Sequence, residues 1–251
     1  PRPVFPQGSS GIRISPFADH DILSEVRKVV EGFFSAATED YVAMDADAYR
    51  RIIVAAQGEL NQRETATRLA ADRRDIICEV LDTTRPLIQT NLYLRATRPS
   101  IADVQENVGW HRESFYGPDM SQSINFWVPI ANVSSENAVR YIPDSHLIPD
   151  DDIETTSKPD DTVKKFSAGH KIGLLYSPKE IVSGVDLGDP KPLEVLAGEC
   201  AVFAGALIHG AAVNRSKQIR FSVDFRLIAA ESLTCQRRFK IGPKGGVKRG
   251  Q

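Results

Sequence analysis

The chain has 251 residues, with 31 Lys and Arg against 33 Asp and Glu, so its formal net charge is -2. This balance argues against a protein that coats nucleic acid, which needs an excess of positive charge to neutralise phosphates. Hydrophobic residues make up 41% of the chain, which is enough for a sizeable core, and barrels commonly reach ~250 residues as one unit. We therefore expect a single domain over residues 1–251.

The two longest stretches without Asp, Glu, Lys or Arg are residues 120–135 and 200–214, with 16 and 15 residues. Both are shorter than the ~20 residues that a membrane-spanning helix needs. Cys78, Cys200 and Cys235 are far apart and odd in number, which favours neither a disulfide framework nor a paired-cysteine metal site. The sequence therefore predicts a soluble, cytoplasmic protein with no membrane or nucleic-acid partner, and it leaves the oligomeric state open.

Helix-forming sequence dominates residues 1–85. Residues 21–37 place Ile, Val and Phe side chains close to helical spacing, and an aspartate stands ready to cap the first turn. Residues 46–81 continue with strong helix formers, and Gly58 is the one break we expect there. This part of the chain is predicted to be mainly helical.

Residues 86–230 change to short β-branched and aromatic runs separated by Pro, Gly, Asn and Asp, which is typical of an antiparallel sheet. The candidate strands are residues 87–94, 122–130, 138–142, 170–176, 194–195, 201–204 and 218–228. Residues 147–169 are rich in Asp, Pro, Ser and Thr and are predicted to form a long loop that acts as a lid. The basic, glycine-rich residues 240–251 are predicted to be a flexible tail.

A histidine and a glutamate stand two residues apart in the β half. On an extended strand, His111 and Glu113 would point to the same face and could meet one ion. His209 follows a short apolar strand and has Gly210 beside it, so a ligand can approach closely. Two histidines and one carboxylate with open positions around the metal are favoured by non-haem Fe(II) oxygenases. We expect His111, Glu113 and His209 to be the catalytic metal ligands.

Strict alternation over residues 220–226 puts Arg220, Ser222, Asp224 and Arg226 on one face of a strand. An inward arginine needs an anion, its guanidinium matches a carboxylate, and a nearby serine hydroxyl can add a hydrogen bond. Arg220 and Ser222 are therefore predicted to hold the far carboxylate of a dicarboxylic co-substrate. Arg226 comes six residues later, about 20 Å along an extended strand, so we expect it to lie outside the iron pocket.

Four spaced motifs occur in an order that resembles the phytanoyl-CoA dioxygenase (PhyH) family of Fe(II)/2-oxoglutarate oxygenases. These motifs are Trp110-His111-x-Glu113, Phe126 to Ala138, Ile142 to His146, and His209-Gly210 followed by Asn214 and Arg220. The resemblance implies a mainly β domain with flanking helices, in which a double-stranded β-helix (a cupin-like jelly roll) over residues 86–230 carries the N-terminal helices on its outside. It implies Fe(II), 2-oxoglutarate and O2 as cofactors, with His111, Glu113 and His209 as iron ligands.

The resemblance also implies cofactor-binding roles for Arg220, Ser222 and Trp127, although a tryptophan in a barrel strand could equally be a core residue. Residues 87–95 alternate, with polar side chains on one face, and the family uses this strand for co-substrate or substrate contacts. Asn91 and Tyr93 are therefore predicted as further cofactor-binding residues. A sheet face turned to solvent would show the same alternation, so that alternative stays open.

The implied reaction is hydroxylation of an unactivated C–H bond in a small polar metabolite or natural-product intermediate, with release of succinate and CO2. Halogenating relatives replace the carboxylate ligand with Ala or Gly, so Glu113 favours hydroxylation. One alternative is a cupin-like isomerase or sugar-binding barrel with a redox-silent metal, which has no need of the anion site at Arg220. Another is a non-catalytic relative, which should have lost a ligand.

Overall fold

The computed structural model of the chain describes residues 2–35, 41–89, 91–99, 108–157, 163–175, 178–211, 213–233 and 247–249. The N-terminal third begins with strand β1 (Ile12–Pro16) and continues with helices α1 (His20–Ser35), α2 (Ala46–Gln62), α3 (Thr65–Asp72) and α4 (Arg74–Leu81). The prediction that this part is mainly helical is confirmed. Within the described ranges, no helix combines the length and the apolar character that crossing a membrane requires.

Helix α2 runs through Gly58, so the break expected there is wrong. A glycine inside a helix costs only about 1 kcal/mol relative to alanine, and α2 buries one face that includes Ile53 and Leu60. The chain instead leaves the helical path after Gln62, where Glu64 adopts a left-handed φ of 53° before α3 begins. Tertiary packing of the apolar face therefore outweighs the local preference of one glycine.

Eleven further strands follow within the described residues, and all their pairings are antiparallel. They are β2 (Pro86–Gln89), β3 (Tyr93–Thr97), β4 (Ser123–Ala131), β5 (Val139–Tyr141), β6 (Glu154–Ser157), β7 (Lys179–Ser183), β8 (Lys191–Pro192), β9 (Glu199–Ala204), β10 (His209–Ala211), β11 (Arg220–Ala229) and β12 (Val247–Arg249). The expectation of a mainly β chain with flanking helices is confirmed.

A seven-stranded sheet forms the centre of the fold, in the order β1-β9-β4-β11-β2-β12, with β3 also paired to β11. Its long strand β11 pairs with β4 along one edge and with β3 and then β2 along the other. A three-stranded sheet has the order β10-β5-β8, and β6 pairs with β7. Strand β11 is therefore flanked on both sides, and each of its residues is buried.

The two faces of β11 have different surroundings. Phe221 and Phe225 belong to the main apolar core, which also contains the buried faces of α1 and α2. The ring centroid of Phe221 lies 4.9 Å from that of Phe34 in α1, and the centroid of Phe225 lies 4.9 Å from that of Phe126 in β4. Fully burying one such ring contributes roughly 1.5–3 kcal/mol. This packing fixes the strand, and the alternating polar residues are then directed to its other face.

Two of the predicted strands are misplaced. Residues 170–176 were expected to form a strand, and their described part, residues 170–175, contains none. Helix α5 (Ala168–Lys171) occupies the beginning of this range. Ser167 caps that helix by accepting a hydrogen bond from the His170 backbone N–H, a local side-chain contact that competes with extended structure. The strand expected at residues 194–195 instead lies at β8, where Lys191 and Pro192 pair with β5.

The predicted lid and tail both contain regular structure. Within residues 147–169, Asp150–Asp152 form a 3-10 helix and β6 pairs with β7, whereas residues 158–162 lie outside the described ranges. In the tail, β12 pairs with β2, so the expectation that all of residues 240–251 are flexible is wrong for this strand. The rest of the tail lies outside the described ranges.

Candidate active site

Backbone pairing brings two histidines together. The His111 N–H donates to the His209 carbonyl at 3.0 Å, and the His209 N–H donates back to the His111 carbonyl at 2.9 Å. This isolated antiparallel bridge joins the chain before Glu113 to the start of β10. The two imidazole ring centroids lie 4.3 Å apart. The predicted pairing of residues distant in sequence is thus produced by main-chain hydrogen bonds.

Glu113 reaches the histidines from a 3-10 helix, Glu113–Tyr116, and not from the extended strand that we expected. Its backbone N–H donates to the Gly205 carbonyl at 2.8 Å, which holds this helix against the turn before β10. The Glu113 Oε1 atom lies 4.0 Å from Nε2 of His111 and 4.0 Å from Nε2 of His209. The three predicted ligands are therefore brought together, with one ligand atom of each within 4.8 Å of the others.

Hydrogen bonds fix which nitrogen of each imidazole faces the glutamate. The Nδ1 atom of His111 donates to the Gly109 carbonyl at 2.7 Å, and that of His209 donates to the Leu207 carbonyl at 2.9 Å. Such contacts leave Nε2 unprotonated and able to bind a metal. Burial, with the charge of His209, lowers the pKa of His111 to about 3, and burial also lowers the pKa of His209. Both rings are therefore neutral near pH 7.

The Glu113 carboxyl is ionised in the same setting. Burial alone would raise its pKa, but the positive charge and hydrogen bond of Arg226 bring the pKa below its usual value. A buried site with two neutral imidazole nitrogens and one carboxylate oxygen offers the donors of a facial Fe(II) triad. The side chains present thus fit a divalent transition-metal ion.

A cavity lies beside the triad and extends along the polar face of β11. Its walls include both histidines of the triad and Arg220 and Arg226. Other polar lining residues are Arg95, Thr97, Asn125, Trp127 and Asp224. Two of the candidate metal ligands, His111 and His209, therefore line the same cavity as the predicted anion-binding arginine.

Arg220 is fully buried, and in the described part of the chain it has no ion pair with a carboxylate. Its Nη1 donates to the Asn137 carbonyl at 3.2 Å and its Nη2 donates to Thr97 Oγ1 at 2.9 Å, whereas Nε has no hydrogen-bond partner. Burial and the nearby charge of Arg95 lower the pKa of Arg220 to about 10. The guanidinium stays charged near pH 7, so the cavity presents a cation suited to a carboxylate.

The other predicted co-substrate residues differ in their positions. Trp127 lines the cavity, and its indole Nε1 is buried without a hydrogen-bond partner among the described residues. The hydroxyl of Ser222 is likewise buried and unpartnered, but Ser222 is not part of the cavity wall. Both side chains therefore hold a buried donor without an acceptor from the described chain.

Asn91 and Tyr93 are not brought into the cavity wall. The Asn91 side-chain oxygen accepts a hydrogen bond from Asn61 of α2 at 3.1 Å, so it is directed to the helical layer. The ring of Tyr93 lies against two guanidinium groups, 5.2 Å from the Arg95 carbon and 5.3 Å from that of Arg226. Tyr93 therefore supports the charged residues of the cavity, whereas Asn91 connects the sheet to a helix.

The expectation that Arg226 lies outside the iron pocket is wrong. Its Nη2 donates to Glu113 Oε1 at 2.7 Å, and its Nη1 donates to Asp224 Oδ2 at 2.8 Å. Six residues do separate it from Arg220 along β11, but the cavity follows the strand, so both arginines border it. Arg226 is thus far from Arg220 along the strand but within hydrogen-bond distance of Glu113.

Arg95 and Asp224 are further residues of the site that sequence reasoning did not assign. Arg95 donates to the Asp224 carboxylate from Nε at 2.6 Å and from Nη2 at 3.3 Å. Burial would raise the pKa of Asp224, but the charges of Arg95 and Arg226 bring it below its usual value. The signal was the alternation of β11, which already placed Asp224 and Arg226 on the face of Arg220.

The fold and the site together define the class of non-haem metal enzymes with a histidine–carboxylate–histidine centre. A sequence profile described as phytanoyl-CoA dioxygenase (PhyH) matches residues 12–222. The chain belongs to the phytanoyl-CoA dioxygenase family, as the sequence motifs predicted. This membership and the triad confirm the predicted cofactor class, iron with 2-oxoglutarate.

Solved structures with a similar fold are distant in sequence. EctD from S. alaskensis with 2-oxoglutarate and 5-hydroxyectoine aligns with a TM-score of 0.53 and 16% identity, covering 92% of this chain and 78% of EctD. The apo non-haem monooxygenase ThoJ aligns with a TM-score of 0.52 and 17% identity, covering 88% and 75%. The 2-oxoglutarate-dependent carbocyclase SnoK from nogalamycin biosynthesis aligns with a TM-score of 0.50 and 14% identity, covering 90% and 85%. No curated protein matches this sequence.

Proposed function

We propose that this chain is an Fe(II)- and 2-oxoglutarate-dependent dioxygenase that hydroxylates an unactivated C–H bond and releases succinate and CO2. One observation carries the proposal: the two neutral imidazoles of a buried histidine–carboxylate–histidine triad line the same cavity as Arg220, a buried cation that has no ion pair with a described carboxylate. The fold proposed to hold this site is a double-stranded β-helix with the helices outside it.

His111, Glu113 and His209 would hold the iron through two Nε2 atoms and one carboxylate oxygen. When bound, the metal and 2-oxoglutarate would supply the electrons that activate O2. The chain's own residues provide positioning and charge. Arg220 would donate to the far carboxylate of 2-oxoglutarate, and the free donors of Trp127 and Ser222 would supply further hydrogen bonds.

Burial of the site is the second contribution of the chain. Each of the three triad residues has less than 9% of its surface exposed, so water is largely kept from the reacting centre. Glu113 supplies a carboxylate where a halogenating enzyme would need a small residue, which favours hydroxylation. The buried, unpaired Arg220 favours an oxygenase over a cupin-like isomerase or sugar-binding barrel, because such a barrel needs no anion site beside its metal.

An adjoining groove supports a proposal for the substrate. The groove shares Val108 and Leu174 with the cavity wall and continues past Trp110, and most of its remaining lining is apolar. The cavity itself combines apolar lining with the charged side chains of Arg95, Arg220, Asp224 and Arg226. Among the expected substrates, this combination favours a natural-product intermediate with an apolar portion over an entirely polar metabolite. The proposed location is the cytoplasm, where the thiols of Cys78 and Cys200, which form no disulfide, would remain reduced.

The proposal is tested by adding Fe(II) and then 2-oxoglutarate to the apoprotein without air. A weak charge-transfer band in the visible spectrum is expected, because 2-oxoglutarate must contact the metal directly to produce it. Admission of air with ascorbate should then yield succinate in amounts that depend on both additions.

His111→Ala is the matched variant, since it removes one ligand, and it should abolish both the band and the succinate. His20→Gln is the control, because His20 is exposed and lies outside the site. A correctly folded wild-type protein with neither signal would contradict the proposed function. Retention of both signals in His111→Ala would contradict the ligand assignment.

A further inference from the structure

A chain of alternating charges leads to the predicted carboxylate ligand. Glu113 receives a hydrogen bond from Arg226, Arg226 also binds Asp224, and Asp224 receives hydrogen bonds from Arg95. Arg95 continues to the Ile172 carbonyl at 2.9 Å, just after α5. The four charged side chains are buried or nearly so and sum to zero, with two positive and two negative charges.

The Glu113 carboxylate depends on one donor. In the described part of the chain, Arg226 Nη2 is its only hydrogen-bond partner, at 2.7 Å from Oε1. This Oε1 is the atom that lies 4.0 Å from Nε2 of each histidine. The contact therefore orients the oxygen that the metal would need, in a side chain with more rotatable bonds than an aspartate has.

Arg226 is itself held firmly in place. Its second terminal nitrogen binds Asp224, and its guanidinium carbon lies 5.3 Å from the centre of the Tyr93 ring. Because one guanidinium spans two carboxylates in a buried site, its direction is fixed before any ligand arrives. Without this donor, the buried Glu113 carboxylate would lose its one hydrogen bond within the described chain and would be free to turn away from the histidines.

Resting on the proposed function, we propose that Arg226 is the positioning residue that prepares Glu113 to bind the metal. The positive charge of Arg226 also opposes a cation, but Asp224 at 2.8 Å compensates much of that charge. Outer partners of metal ligands commonly contribute 10- to 100-fold in metal affinity. Orientation should therefore outweigh repulsion, and loss of Arg226 should weaken metal binding.

The test is a titration with Co(II). It needs neither the exclusion of O2 nor an activity assay, and the visible spectrum of Co(II) reports its coordination. In Arg226→Gln, the Co(II) dissociation constant should rise about 10- to 100-fold, with an altered spectrum because the carboxylate is no longer oriented. Arg95→Gln is the matched control: it removes a half-buried arginine that binds the same Asp224 but does not contact Glu113. Its Co(II) affinity should stay within about threefold of wild type, because Arg95 does not contact the carboxylate ligand.

The outcomes separate this inference from the proposed function. Wild-type protein that binds no Co(II) would refute the metal site itself and with it the role of Arg226. Wild-type binding with unchanged or tighter binding in Arg226→Gln would overturn the positioning role alone. Equal weakening in Arg226→Gln and Arg95→Gln would overturn it too, since the effect would then be structural. Arg226→Lys retains a charge and a donor, so it should fold and bind Co(II) more tightly than Arg226→Gln; equal affinities would contradict the inference.

Discussion

Two arginines on one face of β11 show how differently a buried charge can be treated. Arg226 forms ion pairs with Glu113 and Asp224 at 2.7 and 2.8 Å. Arg220 has only neutral oxygen partners in the described chain, the Asn137 carbonyl and the Thr97 hydroxyl. A charge that the chain itself compensates serves the structure of the site. A charge left without a counter-ion is available to a ligand.

The pKa values of the two arginines shift in opposite directions for the same reason. Burial opposes the charged form of both guanidinium groups, but around Arg226 the charges of Glu113 and Asp224 outweigh burial and raise its pKa. Around Arg220, burial prevails and the charge of Arg95 adds to it, so its pKa falls. A bound dicarboxylate would give Arg220 the counter-ion that Arg226 already has.

The largest effect should be on the free energy of unfolding, and it should come from changing Asp224, the shared partner of Arg95 and Arg226. Asp224→Asn leaves the buried Arg226 and the half-buried Arg95 with a neutral partner, and loss of one member of a buried ion pair costs about 3–5 kcal/mol. Arg220→Gln removes a charge that has no ionic partner, so the unfolding free energy should change by only about 1 kcal/mol. Urea denaturation of the ligand-free variants measures both values. Similar losses of unfolding free energy in the two variants would contradict the distinction between the ion-paired Arg226 and Arg220, which has no described ion pair.

The next largest effect should appear in ligand binding, where Arg220→Gln should have a larger effect than Asp224→Asn. Arg220→Gln removes the proposed partner of a buried carboxylate, which costs about 2–5 kcal/mol in comparable pairs, or roughly 30- to 5000-fold in 2-oxoglutarate affinity. The charge-transfer band, titrated with 2-oxoglutarate at saturating Fe(II), measures this affinity.

Co(II) binding should be unaffected by this substitution, because Arg220 does not contact the triad. Arg215→Gln changes an exposed arginine in the connection before β11 and serves as the control. If 2-oxoglutarate binds Arg220→Gln as tightly as wild type, Arg220 is not its anchor.

The sequence allowed the triad to be predicted because its residue types and order are chemically specific. His111, Glu113 and His209 do converge, although Glu113 starts a 3-10 helix and does not continue a strand. The local geometry could not be predicted, since it depends on hydrogen bonds to residues far along the chain, such as the Gly205 carbonyl. The identity of the ligands was therefore more accessible than the backbone that carries them.

The role of Arg226 shows what a one-dimensional argument cannot supply. Alternation along β11 placed Arg226 on the correct face, but the position of Glu113 relative to that strand depends on tertiary structure. The same limit explains Asn91. Its alternation with Tyr93 assumed one continuous strand, whereas β2 ends at Gln89 and β3 begins at Tyr93, so Asn91 bonds to Asn61 of α2.

The smallest effect should come from one uncharged donor in the cavity wall. Trp127→Phe keeps an aromatic ring in the wall and removes only the unpartnered Nε1–H. A neutral hydrogen bond contributes about 0.5–1.5 kcal/mol net, so 2-oxoglutarate affinity should fall by roughly 2- to 12-fold while Co(II) affinity stays constant. Trp110→Phe is the matched control, because Trp110 lies outside the cavity wall. Unchanged 2-oxoglutarate affinity in Trp127→Phe would mean that this indole is a core residue. Of the predicted co-substrate residues on strands β4 and β11, Arg220 and Ser222 would then remain.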